Sequence, residues 1–396
     1  MQRRRFLTQL AATLPALTVA GRLFAAPPSA PRFLLVFLRG GYDCANVLVP
    51  YASDFYYASR PNIAIAKPQP DAADGALALD AHWALAPALR ATLAPLWAQK
   101  QLAFVPFAGT EDLSRSHFET QDSIERGQPT DKRNFSSGFM ARLAGVLGAR
   151  AAPIAFTDAL PLTFRGGGDV PNASLKNVGK APFDARQSEL IASMYEGHPL
   201  HAAVSEGLDL RQQLAQEFAA DGQAASRGAV NAKGFAAEAA RIGKLLRDEY
   251  RLGFVDVGGW DTHVNQGGAQ GQLANNLDGL GQGLQALVEA LGDAWSETVV
   301  AVVSEFGRTF RENGNRGTDH GHGSVYWVLG GGVHGGRIAG EQVAVAPENL
   351  LQNRDFPVLN DYRAVLGGLF QRLWGLDKAQ LEKVFPRAAV RDLRLV

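Results

Sequence analysis

The sequence predicts an α/β protein, a three-layer sandwich with a mostly parallel central sheet and helices on both faces. Six short apolar runs lack polar alternation, helical patterns lie between them, and the two kinds of segment take turns along the chain. A strand with one wet face alternates apolar and polar side chains, so runs apolar throughout read as strands buried on both faces. Strand–helix alternation over this length is the pattern of a doubly wound sheet.

The strand candidates are residues 33–38, 102–107, 154–157, 253–257, 299–303 and 325–329. Helical spacing covers 85–98 and 236–250, then a long stripe of Leu273, Leu277, Leu280, Leu284, Leu287 and Leu291. A late helix is expected over 362–374, with Asp361 as its N-cap. The stretch 158–234 differs in texture. It carries Gly166-Gly167-Gly168, turns Ala/Gln/Glu-rich, and spaces Leu208, Leu210, Leu214 and Phe218 helically. It reads as a helical insertion, either the roof of a site or a surface elaboration. No internal repeat is visible.

The N-terminus reads Arg3-Arg4-Arg5-Phe6-Leu7, then an apolar stretch from Leu10 to Ala20, then Ala25-Ala26-Pro27. A basic head, a short apolar run and a small-residue exit form a secretory signal over residues 1–26, and paired arginines mark the twin-arginine type. The expected partner is the twin-arginine export machinery, with a periplasmic or otherwise extracytoplasmic destination. Residues 27–396 then form a single domain. The apolar stretch is interrupted and falls short of the roughly 20 residues of a membrane span, and no later segment looks transmembrane. Lys+Arg and Asp+Glu are 39 each, so no bulk attraction to nucleic acid is implied. The single cysteine, Cys44, excludes an intramolecular disulfide.

Ionisable residues gather where strands are expected to end, which is where open α/β sheets place their ligands. Asp43 follows Arg39-Gly40-Gly41. Ser116 and His117 lie in a turn before a helix whose free amides suit an anion. Asp261 and His263 follow Gly258-Gly259, Glu305 and Arg308 follow the 299–303 run, and His320 and His322 precede 325–329. Four of the eight histidines fall in these glycine-punctuated loops. Imidazole and carboxylate donors converging from separate loops suit a divalent ion. Asp261 and His263 point the same way if that segment is extended, as do His320 and His322. Asp319 is placed to orient a ligating imidazole. Two ions about 4 Å apart would serve phosphate-ester cleavage, with Arg39, Arg115 or Arg308 clamping the anion. The alternative is a polar network that braces the crevice without metal.

At these residues the chain resembles the secreted bacterial family known as domain of unknown function 1501. The segments that carry the resemblance are 37–43, 116–118, 258–263, 304–309, 317–323 and 361–363. The family in turn looks like a distant branch of the alkaline phosphatase and sulfatase superfamily. That resemblance implies an alkaline-phosphatase-like sandwich with one or two divalent ions (Zn, Mn, Mg or Ca). It implies Asp43, Asp261, His263, Glu305 and His320 or His322 as metal ligands. It implies Ser116 as nucleophile, with His117 and Arg308 beside it, although a helix-capping role for Ser116 competes. Phe306 stands where the superfamily carries a histidine ligand. Cys44 leads into Ala45-Asn46, which lacks the sulfatase signature.

The function these residues imply is an exported metal-dependent hydrolase of phosphate- or sulfate-type esters, phosphoesterase-like in preference to sulfatase. The alternative is a catalytically inactive binding or assembly protein on the same fold, recognising an envelope polymer or a partner protein. Transfer of a phosphoethanolamine-like group is a third possibility that the sequence does not separate from hydrolysis.

Overall fold

The computed structural model describes residues 31–69, 71–131, 134–173, 193–201, 204 and 235–396. The leader and most of the 158–234 insertion, including its Leu208–Phe218 spacing, lie outside the described residues.

The main sheet has eight strands: β1 (Arg32–Leu38), β2 (Leu102–Gly109), β3 (Pro153–Phe156), β4 (Leu252–Val257), β5 (Thr298–Ser304), β6 (Ser324–Gly330), β7 (Arg337–Ile338) and β8 (Asn360–Asp361). Their order is β7-β2-β6-β5-β1-β4-β3, with β8 also paired to β2. β1 is parallel to β4 and β5, β3 to β4, and β7 and β8 to β2. Only β6 runs against its neighbours. The sheet is therefore mostly parallel, as the unbroken apolar runs predict.

The same runs explain the layers. In β1, Leu34, Val36 and Leu38 enter one hydrophobic cluster, while Phe33, Leu35 and Phe37 enter the other. Successive side chains of a strand point to opposite faces, so a strand covered on both sides must be apolar at every position. The helices are α1 (Asp54–Ser59), α2 (Leu93–Ala98), α3 (His117–Arg126), α4 (Phe139–Leu147), α5 (Phe235–Asp248), α6 (Gln272–Leu291), α7 (Tyr362–Trp374) and α8 (Lys378–Val384). The buried residues of α5 and α6 pack in the first cluster, and those of α4, α7 and α8 in the second. Asp361 caps α7 by accepting from the Arg363 amide. Among the described residues, no helix is long and apolar enough to cross a membrane.

One expected helix is remodelled. Over 85–98 the chain instead makes a short strand (Ala84–Leu85), a 3-10 turn (Pro87–Leu89) and only then α2. Proline pushes the residue before it out of the helical region, and Ala86 sits at φ −56°, ψ 139°. Leu85 then pairs with Leu48 and Leu77 in a small antiparallel sheet.

The α5–α6 contact is set by missing side chains. A Cβ on Gly243 of α5 would lie 2.7 Å from the Ala290 Cβ and 3.0 Å from the Leu287 carbonyl oxygen. A Cβ on Gly145 of α4 meets nothing within 4 Å. Gly243→Ala should therefore cost about 1–3 kcal/mol through overpacking. Gly145→Ala should gain up to about 1 kcal/mol from helix propensity. Urea midpoints shifted in opposite directions would bear this out, and an unchanged midpoint for Gly243→Ala would contradict the packing.

Candidate metal centre

In register, Leu38 pairs with Ser304 on one side and Val257 on the other, so β1, β4 and β5 end level. The chain leaving each strand therefore emerges at one edge. β6, running the other way, begins at that edge. This is why loops distant in sequence meet here.

The loop after β1 fits beneath the others only because of its glycines. Gly40 has φ +126°, and a Cβ there would lie 2.7 Å from the Asp261 amide nitrogen. Gly41 has φ +62°, and its Cβ would enter the Phe306 ring at 2.3 Å. Both positions demand a residue that tolerates positive φ and close backbone approach.

Ligand atoms of His117, Asp261 and His320 lie within 4.8 Å of one another. His263 joins them, with Nε2 2.9 Å from Asp261 Oδ1 and 3.1 Å from His320 Nε2. His117 Nε2 is 3.5 Å from Asp261 Oδ2, and it is buried with no hydrogen-bond partner. The other nitrogen of each ring is anchored. His117 Nδ1 meets Glu305 Oε1 at 2.8 Å, His263 Nδ1 meets Asp319 Oδ1 at 3.1 Å, and His320 Nδ1 meets the Arg115 carbonyl at 3.0 Å. All three rings thus turn Nε2 inward, the arrangement that acceptors impose on ligating histidines. The donor set fits a metal: His117, Asp261 and His320 form the group, His263 touches the last two, and the His117 Nε2 is unmet.

Charge reinforces the arrangement. The hydrogen bond His117 donates to Glu305 raises the His117 pKa above the ordinary histidine value, overcoming burial. Burial and the nearby His117 charge lower that of His320. Burial would raise the Glu305 carboxyl, but His117, Gln121 and the Gly40 amide outweigh it and hold it below the usual range. Burial likewise opposes ionisation of Asp261, and Arg308 at 2.6 Å outweighs it. Phe306 packs against both imidazoles, with ring centroids 4.9 Å from His117 and 5.1 Å from His320.

Other expected residues take different places. Asp43 is fully buried and accepts from Arg60 Nη1 at 2.5 Å, Arg60 Nη2 at 3.0 Å and Gln266 Nε2 at 2.5 Å. Its lone pairs are committed to this pair, and it stands outside the His117–Asp261–His320 group. A bend at His322 breaks the extended geometry that would have aligned it with His320. His322 instead bonds the Asp112 backbone, and burial and the Arg115 charge push its pKa down to about 4. Glu305 orients His117 and does not face the inward nitrogens. Arg308 has no exposed side-chain surface, and it donates to Asp261, the Thr318 hydroxyl and the Thr318 carbonyl. It positions Asp261 and has no surface left to clamp an anion. Arg39 and Arg115 are likewise tied, to Glu125 and Asp256 and to Asp355 respectively. Ser116 precedes α3, but its side chain makes no capping hydrogen bond.

Sequence reasoning missed Arg60 and Gln266, which carry no local signal. It also missed Gln121, which donates to Glu305 Oε1 at 2.9 Å. Gln121 lies four residues after His117 on the same helical face, so that spacing could have revealed it.

Because Asp43 and Arg60 are buried together, removing one leaves the other charge unpaired. Asp43→Ala should cost about 3–5 kcal/mol in urea unfolding. Protein that remains folded should keep its metal, since Asp43 does not face the centre. Loss of metal without loss of stability would reverse this assignment.

Comparison with known proteins adds little beyond the family. Among solved structures, a protein in the alkaline phosphatase superfamily from Vibrio parahaemolyticus is 10% identical with a TM-score of 0.36. The match covers 77% of this chain and 62% of that one, so this chain spans less than two thirds of its length. Ps i-CgsB is 12% identical with a TM-score of 0.37, over 92% of this chain and 75% of the other. Its complex with k-i-k-neocarrahexaose is 11% identical with a TM-score of 0.27, over 89% and 74%. No curated protein matches. A family model described as "Protein of unknown function (DUF1501)" matches residues 30–385, and the chain belongs to that family.

Proposed function

We propose that this protein is an exported, metal-dependent hydrolase of phosphate- or sulfate-type esters built around a single divalent ion. The observation that carries the reading is the inward convergence of His117, His263 and His320 on Asp261, each ring fixed through its far nitrogen. Imidazole-rich donors favour zinc over magnesium or calcium. A second ion lacks ligands among the described residues, because Asp43 and His322 are engaged elsewhere.

An ion held there supplies a Lewis acid for the ester oxygens and acidifies a bound water or hydroxyl. The chain's own residues do the rest. Glu305 and Asp319 keep two imidazoles in the ligating tautomer, and Arg308 keeps Asp261 ionised and aimed. Ser116 is the proposed nucleophile, next in the chain to a ligand and with its hydroxyl free of a capping role. Cys44 does not compete for that task. Its thiol is buried, and burial and the Asp43 charge push its pKa up to about 12. This supports a phosphoesterase-like over a sulfatase-like reading.

A second reading, a binding or assembly protein without turnover, is favoured by one observation. All three arginines that an anion clamp would use donate inside the chain.

Protein purified without chelator should carry close to one equivalent of transition metal by mass spectrometry. Asp261→Asn and His320→Ala should lose it. Glu305→Gln should weaken metal affinity about 10–100-fold in chelator competition. Ser116→Ala should keep the metal and abolish turnover of aryl phosphate esters. A metal-free wild type would sink both the centre and the hydrolase. Full metal with no turnover of aryl phosphates or sulfates would leave the binding reading in place.

Export through the twin-arginine route is proposed from Arg3-Arg4-Arg5-Phe6-Leu7. Replacing Arg4 and Arg5 by lysine should retain the protein in the cytoplasm. Unchanged periplasmic recovery on fractionation would refute the route.

A further inference from the structure

The exposed side of α3 opens into a cavity of about 300 Å³ that none of the four candidate metal ligands lines. Phe118, Asp122 and Arg126 are spaced four apart on this helix, so they form one stripe of about 12 Å. The stripe begins beside the metal ligand His117. Phe135 and Leu113 face it from neighbouring loops, and Glu111, Asp112 and Glu119 bring its carboxylates to four.

Two features of this cavity, besides its carboxylates, call for a ligand. Phe118 is 83% exposed and stands uncovered beside a candidate active site, and Phe135 is half exposed. Arg126 is 4% exposed, yet its Nη1 is buried without a hydrogen-bond partner. Its Nε is held by the Asp122 carbonyl at 3.0 Å, and its guanidinium lies 4.8 Å from the Phe135 ring centroid. A buried guanidinium with an unmet donor is costly unless something supplies an acceptor.

We propose that this cavity is a subsite for an uncharged, polyhydroxylated ring, a sugar unit. An apolar ligand would cover the phenyl faces and leave Arg126 unmet. A small anion would satisfy Arg126 but face the Asp112 and Asp122 carboxylates and leave the rings bare. A small cation would suit the carboxylates and rings but not the guanidinium. A sugar meets all three demands. Its C–H face lies on Phe118, one hydroxyl accepts from Arg126 Nη1, and others donate to Asp122 and Asp112. The volume is at the small end of ligand-sized pockets, about 300–1,000 Å³, which suits a single ring in place of a long segment. That this sugar is the non-reacting part of an ester substrate rests on the hydrolase reading. Sugar binding itself does not.

The test is binding of the full chain to an array of neutral oligosaccharides, followed by calorimetry with the best ligand. Phe118→Ala removes a side chain that stands mostly in solvent, so folding should be unaffected. Affinity should fall about tenfold or more, as truncation of an aromatic anchor does. Asp122→Asn should also weaken it. His320→Ala, which removes the metal, should leave sugar affinity within about twofold because the sites share no residue. Failure of the centre and failure of the subsite are thus separable. The proposal is overturned if no neutral saccharide binds or if binding survives both Phe118→Ala and Asp122→Asn. It is also overturned if only sulfate or choline binds in a Phe118-dependent way.

Discussion

A carboxylate with no exposed surface must be met on every side, and Glu305 is that carboxylate here. It accepts from the Gly40 amide, Gln121 Nε2, the Ser304 hydroxyl and the His117 ring. Burying such a charge unpaired would cost several kcal/mol, so letting go of any of its four partners is unfavourable. Those partners come from the loop after β1, from α3 and from the end of β5. One charge therefore locks three elements at the sheet edge. The position of His117 follows from that lock, and the metal centre depends on His117.

The fold was legible where a single physical cause dominates. A strand buried on both faces has no choice but to be apolar throughout, so β1, β5 and β6 stand out in the sequence. Asp361 announces α7 because a capping carboxylate at a helix start needs no tertiary help. The 85–98 stretch was misleading because its leucine spacing is helical while Pro87 forbids the helix, and backbone sterics outrank periodicity. The candidate site was legible in part for the same reason. Asp261 and His263 sit two apart on one loop, and local geometry alone brings them together. Asp43 was not legible, because its fate is decided by Arg60 and Gln266, which nothing near Asp43 in the sequence signals. Choosing between His320 and His322 needed the bend at His322, a tertiary feature.

Phe306 separates this centre from a two-ion arrangement. A histidine there would add a donor beside His117 and His320. The phenyl ring instead fills the space, packs against both imidazoles and limits their rotation. Asp43 is paired with a buried guanidinium and stands outside the His117–Asp261–His320 group. The two changes point the same way. Donor capacity is withdrawn on one side and concentrated on the other, leaving His117, Asp261 and His320 grouped with His263 against the last two.

Exposure is graded across that point. Glu305 and Arg308 have no exposed side-chain surface, whereas the Asp261 side chain is 43% exposed and that of His263 39%. The rear of the centre is rigid because its groups have no solvent to turn toward, and the front is open to exchange. A structural ion is enclosed by its ligands, whereas a catalytic one keeps a position free. With His117, Asp261 and His320 as its three ligands, an ion there would keep a fourth position on the exposed side for an incoming oxygen.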